Sequence, residues 1–558
     1  MVMKAVKAKI IYTMDPEKPY GKYLLFNETT GNIEKVLDTL SNSELSNVEV
    51  IDYGDYLITP GIIDSHNHLL MMGLHYTFMV NLSDAHNIDD IIQKLREFSG
   101  KAEFPWILGY GLYEGRIGRL PTRWDLDKAA SDKPVFIMHT SGHYAVCNSK
   151  ALEIAGITKS TQDPPGGLIG REPDGTPNGI LYEPAAMDLV RRYIPQFTVN
   201  HYKEAILKIQ DEYLKTGITT VKDPGGTGGD IDEELRIRAL NELSENNMLK
   251  VLVKICLPVF SYEDAKRKVT IARMIREGEK LTFLGFKIFM DGSGLARTAW
   301  MRDPWNKNFT EIDDDNRGIP TWNLEELRKT IDYLLSEFPN KMICIHTIGD
   351  KAVEEALNII EDMKMKYPNV SFTLIHVYAP TSRDIERIRE NGVMIETQTG
   401  FMHFLGKLII SNLGLIRTNR FMNIRNYLEQ GIIVCNSSDS DVINHNPIYG
   451  LITSIYRTYY VNSIVNTLMN THEMNPALCD ISLYDAFKLY TLNAQRCVHD
   501  NSIVALKPGN KADFVVWDLN LLMRCFEDPI NCLSNDNIIK NLVIATYING
   551  KIMHKRVA

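Results

Sequence analysis

The chain has 558 residues, and 61 Lys+Arg against 70 Asp+Glu leave a formal charge of −9. With 44% hydrophobic and 23% charged residues it has the composition of a folded globular protein, not a disordered one. The mild acidity and the lack of any long Lys/Arg block exclude an electrostatic nucleic-acid footprint, so a small-molecule substrate is expected.

At roughly 100–200 residues per domain, the length predicts about three to five domains, or one large barrel with additions. Met1 to Asn27 lack the basic–apolar–small-residue order of a secretory signal. No apolar run approaches the roughly 18 residues of a membrane span. Eight cysteines are scattered without paired CxxC spacing and read as reduced, mostly buried thiols. Together these predict a cytoplasmic protein without membrane association.

The predicted elements begin with short strands, Ile10–Thr13 and Tyr23–Phe26, with a turn signal at Thr30-Gly31-Asn32; Val48–Ile51 and Tyr56–Ile58 continue the pattern. Eight apolar, strand-like runs follow: Gly61–Asp64, Gly217–Val221, Lys250–Ile255, Leu284–Phe289, Met342–Ile345, Phe372–Ile375, Val393–Ile395 and Ile432–Cys435. Helical spacing of apolar residues marks Ile231–Asn246, Leu324–Glu337, Lys351–Lys366 and Ser382–Asn391 between them. This alternation predicts an α/β fold, and eight strands is the count of a (β/α)8 TIM-like barrel. About 150 residues separate the first two runs, far more than one crossover needs. Strand-like Trp106–Gly111 and Val135–His139 and loop-rich Pro164–Gly179 lie there, which predicts an inserted subdomain at about residues 100–200. The C-terminal segment returns to short strands at Asp513–Trp517 and Leu542–Ile548.

His66-Asn67-His68 directly follows the first apolar run. Residues i and i+2 of a strand face one side, so both imidazoles can meet one ion at the strand's C-terminal end, where barrels keep their active sites. HxH by itself is a weak pattern, but His346 and His376 end two further runs, Asp439 follows the last, and Lys287 stands inside an apolar strand. Core packing would have to explain each of these separately; one metal site explains them together. Imidazoles and an anionic oxygen suit Zn²⁺ or a similar divalent ion. A lysine ammonium cannot ligate, so Lys287 joins the set only after modification, most plausibly by CO₂ to a carbamate bridging two metals. Asp439 would then act as general base and return the proton to the leaving group. A single metal without carbamylation is the alternative.

These residues resemble the amidohydrolase superfamily, and within it the YtcJ-like branch that includes N-substituted formamide deformylase. The resemblance is carried by Pro60–His68, Phe286–Ser293 with Arg297-Thr298-Ala299, His346–Val353, Leu374-Ile375-His376 and Ser437-Ser438-Asp439. Gly142–Leu152, Gly166–Ile169, Gly179–Glu183 and Leu506–Phe514 extend it over nearly the whole chain. It implies a metal-binding barrel (residues 60–502, with the insertion) beside a small β-sandwich built from both termini (residues 1–59 and 503–558). It also implies hydrolysis of a non-peptidic C–N bond in an amide, formamide or cyclic amide, commonly with two Zn²⁺ and a carbamylated lysine. The chain departs from the branch at Asn67 and Asp441, which bear on substrate choice and remove no ligand.

Lesser candidates are His143, to polarise a substrate carbonyl or simply to brace the insertion, and Glu183, as a substrate contact or a helix N-terminal charge. Asp291 and Arg297 are candidate substrate contacts, or shape the loop after the lysine strand through an ordinary salt bridge. The same metal site could serve a lyase, decarboxylase or isomerase, and a non-catalytic barrel is the remaining reading. A symmetric homo-oligomer would be common for such a protein.

Overall fold

The computed structural model describes residues 3–41, 48–100, 104–140, 143–227, 231–471, 479–499 and 505–556. The chain forms two compact units: Met1–Leu69 with Gln210–Ala558, and Leu70–Ile209.

The first unit holds eight parallel strands, hydrogen-bonded in chain order. They are β1 (Ile62–Asp64), β2 (Ile218–Asp223), β3 (Leu252–Val259), β4 (Leu281–Phe289), β5 (Met342–Thr347), β6 (Phe372–His376), β7 (Met394–Thr397) and β8 (Val434–Asn436). All eight apolar runs are therefore barrel strands. Their near-continuous hydrophobicity follows from burial on both faces, as parallel sheets require. The ends differ where chain geometry overrides composition. Gly217, with φ of 85°, is the turn before β2 and lies outside the strand. The expected helices form at Glu233–Glu245, Leu324–Glu337, Asp350–Lys366 and Ser382–Glu390. Asp232, Asn323 and Thr381 accept first-turn N–H groups at three of their N-termini, satisfying donors that a helix cannot pair internally.

Among the described residues no ladder joins β1 to β8. The barrel closes just beyond their ends instead. Asp439 N–H donates to His66 C=O at 2.8 Å, and His68 N–H to Ser440 C=O at 2.6 Å. Asp64 reinforces this seam, accepting Ser438 N–H at 3.0 Å, Ser438 O–H at 2.6 Å and the Asn67 amide at 2.9 Å.

Both ends of the chain contribute to a second eight-stranded sheet. Its order is Lys551–Lys555, Val543–Ile548, Phe514–Trp517, Leu57–Pro60, Met3–Tyr12, Tyr20–Asn27 and Ile33–Leu37, with Glu49–Asp52 also on Met3–Tyr12. Leu57–Pro60 runs antiparallel to Phe514–Trp517, and the sheet buries Val6, Leu24, Phe26, Ile58, Phe514 and Tyr547 in one cluster.

The unit Leu70–Ile209 has its own six-stranded sheet, from Leu168–Arg171 through Pro177–Tyr182, Tyr144–Cys147, Val135–His139 and Ile107–Leu112 to Met79–Asn81. Its core includes Val80, Ile91, Leu95, Ile107, Leu126, Val135 and Val146.

No helix of the described residues is long and apolar enough to cross a membrane. The expectation of eight reduced thiols fails at Cys525 and Cys532, which form a disulfide. Asp528 ends helix Leu519–Glu527 and caps helix Pro529–Leu533, and this bend brings the two cysteines together.

Candidate active site at the C-terminal rim of the barrel

The structure brings the predicted histidines and aspartate into one cluster. His66 and His68 follow β1, and their Nε2 atoms lie 3.4 and 3.3 Å from Asp439 Oδ1. His376, ending β6, places Nε2 4.0 Å from Asp439 Oδ2 and 3.0 Å from Nδ1 of His346 on β5. Asp439 and three of these rings are buried; His346 is partly so. One atom each of His66, His68 and Asp439 lies within 4.8 Å of the others, a spacing that could hold an ion.

Each ring is held on the side away from the cluster. His66 Nδ1 faces Glu396 Oε2 at 3.4 Å, and His68 Nδ1–H donates to Gly225 C=O at 2.6 Å. His376 Nδ1–H donates to Gln398 Oε1 at 2.7 Å, and His346 Nε2–H to Gly292 C=O at 2.9 Å. An oxygen acceptor on one ring nitrogen fixes the tautomer and turns the other lone pair inward, as metal-ligating histidines require. Burial and neighbouring positive charge drive His66 and His346 well below the ordinary imidazole range, and burial takes His376 to about 4, so these rings are neutral at pH 7. Burial opposes a proton on His68, but Asp439 outweighs it and holds the ring at about 9; an arriving cation would displace that proton. Burial also opposes ionisation of Asp439, yet His68, His376 and Lys287 hold its carboxyl at about 2.

Lys222 and Lys287 are both wholly buried on barrel strands, with opposite circumstances. Lys222 of β2 is ion-paired with Glu396 of β7. Lys287 of β4 is fully buried, and its Nζ has no hydrogen-bond partner. Burial lowers its pKa to about 8. An orphaned ammonium this deep costs several kcal/mol unless neutralised or modified, and a carbamate would reverse its charge among ligands that attract cations. The donor set thus fits a divalent metal centre, with Lys287 as the group open to modification.

The backbone departs from ordinary geometry at these residues. His376, Val377 and Asp439 have φ of 75°, 46° and 52°. A β-branched valine in the left-handed region is costly, and such strain concentrates at functional sites.

The remaining candidates take other places. Asp291 is buried and accepts N–H from Ile348, Gly349 and Trp300 at 3.0, 2.8 and 2.9 Å, which fixes the loop after His346. Burial raises its carboxyl to about 7 against those three donors. Arg297 pairs with Asp313 at 2.9 Å. His143 and Glu183 belong to the unit Leu70–Ile209, where they pair with each other at 3.0 Å. Asn67, a departure from the branch pattern, donates to Asp64 and accepts Tyr213 O–H at 2.5 Å, so it is part of the seam. Glu396, Gln398, Lys222 and Asp64 were not singled out in the sequence. Glu396 and Lys222 each carry the signal that marks Lys287, a charged residue on an apolar strand.

A parallel eight-stranded barrel with converging imidazoles, an aspartate and a buried lysine defines a barrel with a candidate metal centre at its C-terminal rim. The amidohydrolase family model matches residues 49–554, and the chain belongs to that family. It is 26% identical to YtcJ of Bacillus subtilis (strain 168) over 501 residues, 87% of this chain and 88% of that protein. Over 532 residues it is 23% identical to N-substituted formamide deformylase of Arthrobacter pascens, covering 91% and 90% of the two chains. The solved structure of an uncharacterized metal-dependent hydrolase from Pyrococcus horikoshii OT3 superimposes with a TM-score of 0.72 at 25% identity, covering 92% of this chain and 97% of that one.

Proposed function

We propose that the protein is a metal-dependent hydrolase of a non-peptidic C–N bond in a small molecule: an amide, a formamide or a cyclic amide. The observation that carries this is the inward convergence of His66, His68, His346 and His376 on Asp439, with Lys287 unpaired in the same barrel. The similarity to the Arthrobacter deformylase supports the choice of bond.

His66 and His68 would hold one ion through Nε2, and His346 Nδ1 and His376 Nε2 a second. Lys287 would bridge them after its neutral amine adds to CO₂, forming the N–C bond of a carbamate and releasing one proton. Zn²⁺ suits these donors, and when bound it supplies polarisation of the scissile carbonyl and acidification of water. Asp439 accepts the proton of the attacking water and passes it to the departing nitrogen; its ionised state at neutral pH equips it to begin as a base. His143, paired with Glu183, is a proposed substrate contact. Asp291 and Arg297 are proposed to shape the rim, since their charged atoms are engaged by backbone N–H groups and Asp313. The sheet shared by both termini would be the small β-sandwich implied by the family resemblance. The cytoplasmic address drawn from the sequence is a proposal for the five buried free cysteines, while Cys525–Cys532 is a bond that an oxidising compartment favours. No nucleic-acid or membrane partner is proposed, and assembly as a symmetric homo-oligomer is.

Elemental analysis of protein purified in Zn²⁺-replete buffer should give about two ions per chain. A panel of N-acyl amines, formamides and cyclic amides should yield amine and acid. Asp439→Asn should retain metal and lose about 10²–10⁴-fold in turnover. Metal-free protein, CO₂ as the product, or unchanged turnover in the variant would refute the corresponding part of the reading.

A further inference from the structure

The buried pair of Lys222 and Glu396 has no part in the hydrolytic chemistry described above. Lys222 is the last residue but one of β2, and Glu396 the third of β7. These strands are not neighbours in the sheet, so the pair reaches across the barrel interior. Both side chains are excluded from solvent. Taking two charges out of water costs several kcal/mol per ion, and apolar side chains of the same volume would often stabilise as well. Packing alone therefore does not account for the pair.

The two carboxylate oxygens of Glu396 are used differently. Oε1 receives the Lys222 ammonium, and Oε2 faces His66 Nδ1 at 3.4 Å. Sulfurs line the rest of the surroundings: Cys344 Sγ lies 3.7 Å from Lys222 Nζ, and Cys435 and Cys497 Sγ lie within 4.8 Å of a Glu396 oxygen. The remaining three rings of the cluster are each held by a neutral oxygen, from Gly225, Gly292 or Gln398. His346 Nε2 also lies 3.6 Å from Asp291 Oδ1, but that carboxylate is engaged by three backbone N–H groups. Glu396, by contrast, is the one oxygen partner of His66 Nδ1 among the described residues and is itself ion-paired to a buried lysine.

We propose that Lys222 and Glu396 form a positioning pair for His66. Glu396 accepts the Nδ1 proton and so fixes the tautomer whose Nε2 lone pair faces Asp439. Lys222 holds the carboxylate in register and balances its charge. This rests on the metal-hydrolase reading above and adds two residues that touch neither metal nor substrate.

The double variant Lys222→Met/Glu396→Gln removes both charges at once, so neither is left stranded. Two readouts test the role. Zn²⁺ affinity, by competition with a chromophoric chelator, should fall about 10–100-fold while circular dichroism stays unchanged. The ¹⁵N shifts of histidine-labelled, metal-free wild-type protein should show His66 protonated at Nδ1, a preference lost in the variant. Wild-type affinity in a folded double variant would overturn the proposal. So would a wild-type His66 protonated at Nε2, a result that needs no variant. If the wild-type chain binds no Zn²⁺, the hydrolase reading falls, while the tautomer measurement still decides the positioning role.

Discussion

Replacing Ser438 by alanine removes a single oxygen from the seam between the first and last barrel strands. That oxygen donates to Asp64 at 2.6 Å, accepts the Ser440 N–H at 3.0 Å and lies 3.4 Å from the Asn67 amide nitrogen. Asp64, Asn67 and Ser440 are 0–1% exposed, so water does not replace it readily. Losing a hydrogen bond to a charged group costs about 1.5–3 kcal/mol, and leaving the buried Ser440 N–H unpaired costs about 1–3 kcal/mol more. The Ser438 N–H bond to Asp64 survives and relaxation recovers part of the loss, so the expected destabilisation is about 2–4 kcal/mol. Hydrogen exchange at the Ser440 amide should accelerate by roughly 30- to 1,000-fold, because each 1.4 kcal/mol of local stability is a factor of ten. The thermal midpoint should fall with it. Wild-type protection at Ser440 together with an unchanged midpoint would show that the seam is held by something other than this network.

In the unit Leu70–Ile209, Arg119 holds the Asp125 carboxyl at about 2, aided by Thr122. A carboxyl depressed below its unfolded value of about 3.8 stabilises above that pH and loses the contribution as pH falls towards 2. With Arg119 more than half exposed, solvent screening leaves about 1–2 kcal/mol. Asp125→Asn should therefore lower the midpoint at pH 7 and approach wild type as thermal scans are taken through pH 3 towards pH 2; a gap independent of pH would refute the linkage. Gly349→Ala would put a methyl 1.9 Å from the Trp300 carbonyl oxygen, an overpacking worth about 1–3 kcal/mol or more. The loop after His346 must then shift, and Zn²⁺ stoichiometry by elemental analysis should drop towards one per chain. A full complement of metal with a wild-type midpoint would argue against that coupling.

The eight barrel strands were legible because a strand buried on both faces is written almost wholly in apolar residues. Lys287 stood out against that background. Lys222 and Glu396 were not read in the same way, since each follows an apolar run and passes for its polar boundary. Periodicity is equally silent about the seam. β1 and β8 are three residues each, and they are joined by side chains and two backbone bonds beyond their ends. Asn67 read as a change in substrate preference, yet its amide ties Asp64 to Tyr213, a contact between residues 149 positions apart that no local pattern encodes. The Cys525–Cys532 bond was missed for a related reason: it depends on a helix break at Asp528, not on cysteine spacing alone.

The pairing of Leu57–Pro60 with Phe514–Trp517 also has a consequence in time. A ribosome adding about 5–20 residues per second takes roughly 20–90 seconds to travel between these two strands. Throughout that interval one edge of Leu57–Pro60 lacks its partner, and β1, immediately downstream, waits nearly as long for Ser438 and Asp439. An unpaired apolar edge is a template for association with other chains. The nascent protein therefore carries an unpaired apolar edge until Phe514–Trp517 are made, and the pair of histidines that begins the site is completed only when Asp439 and Ser440 arrive.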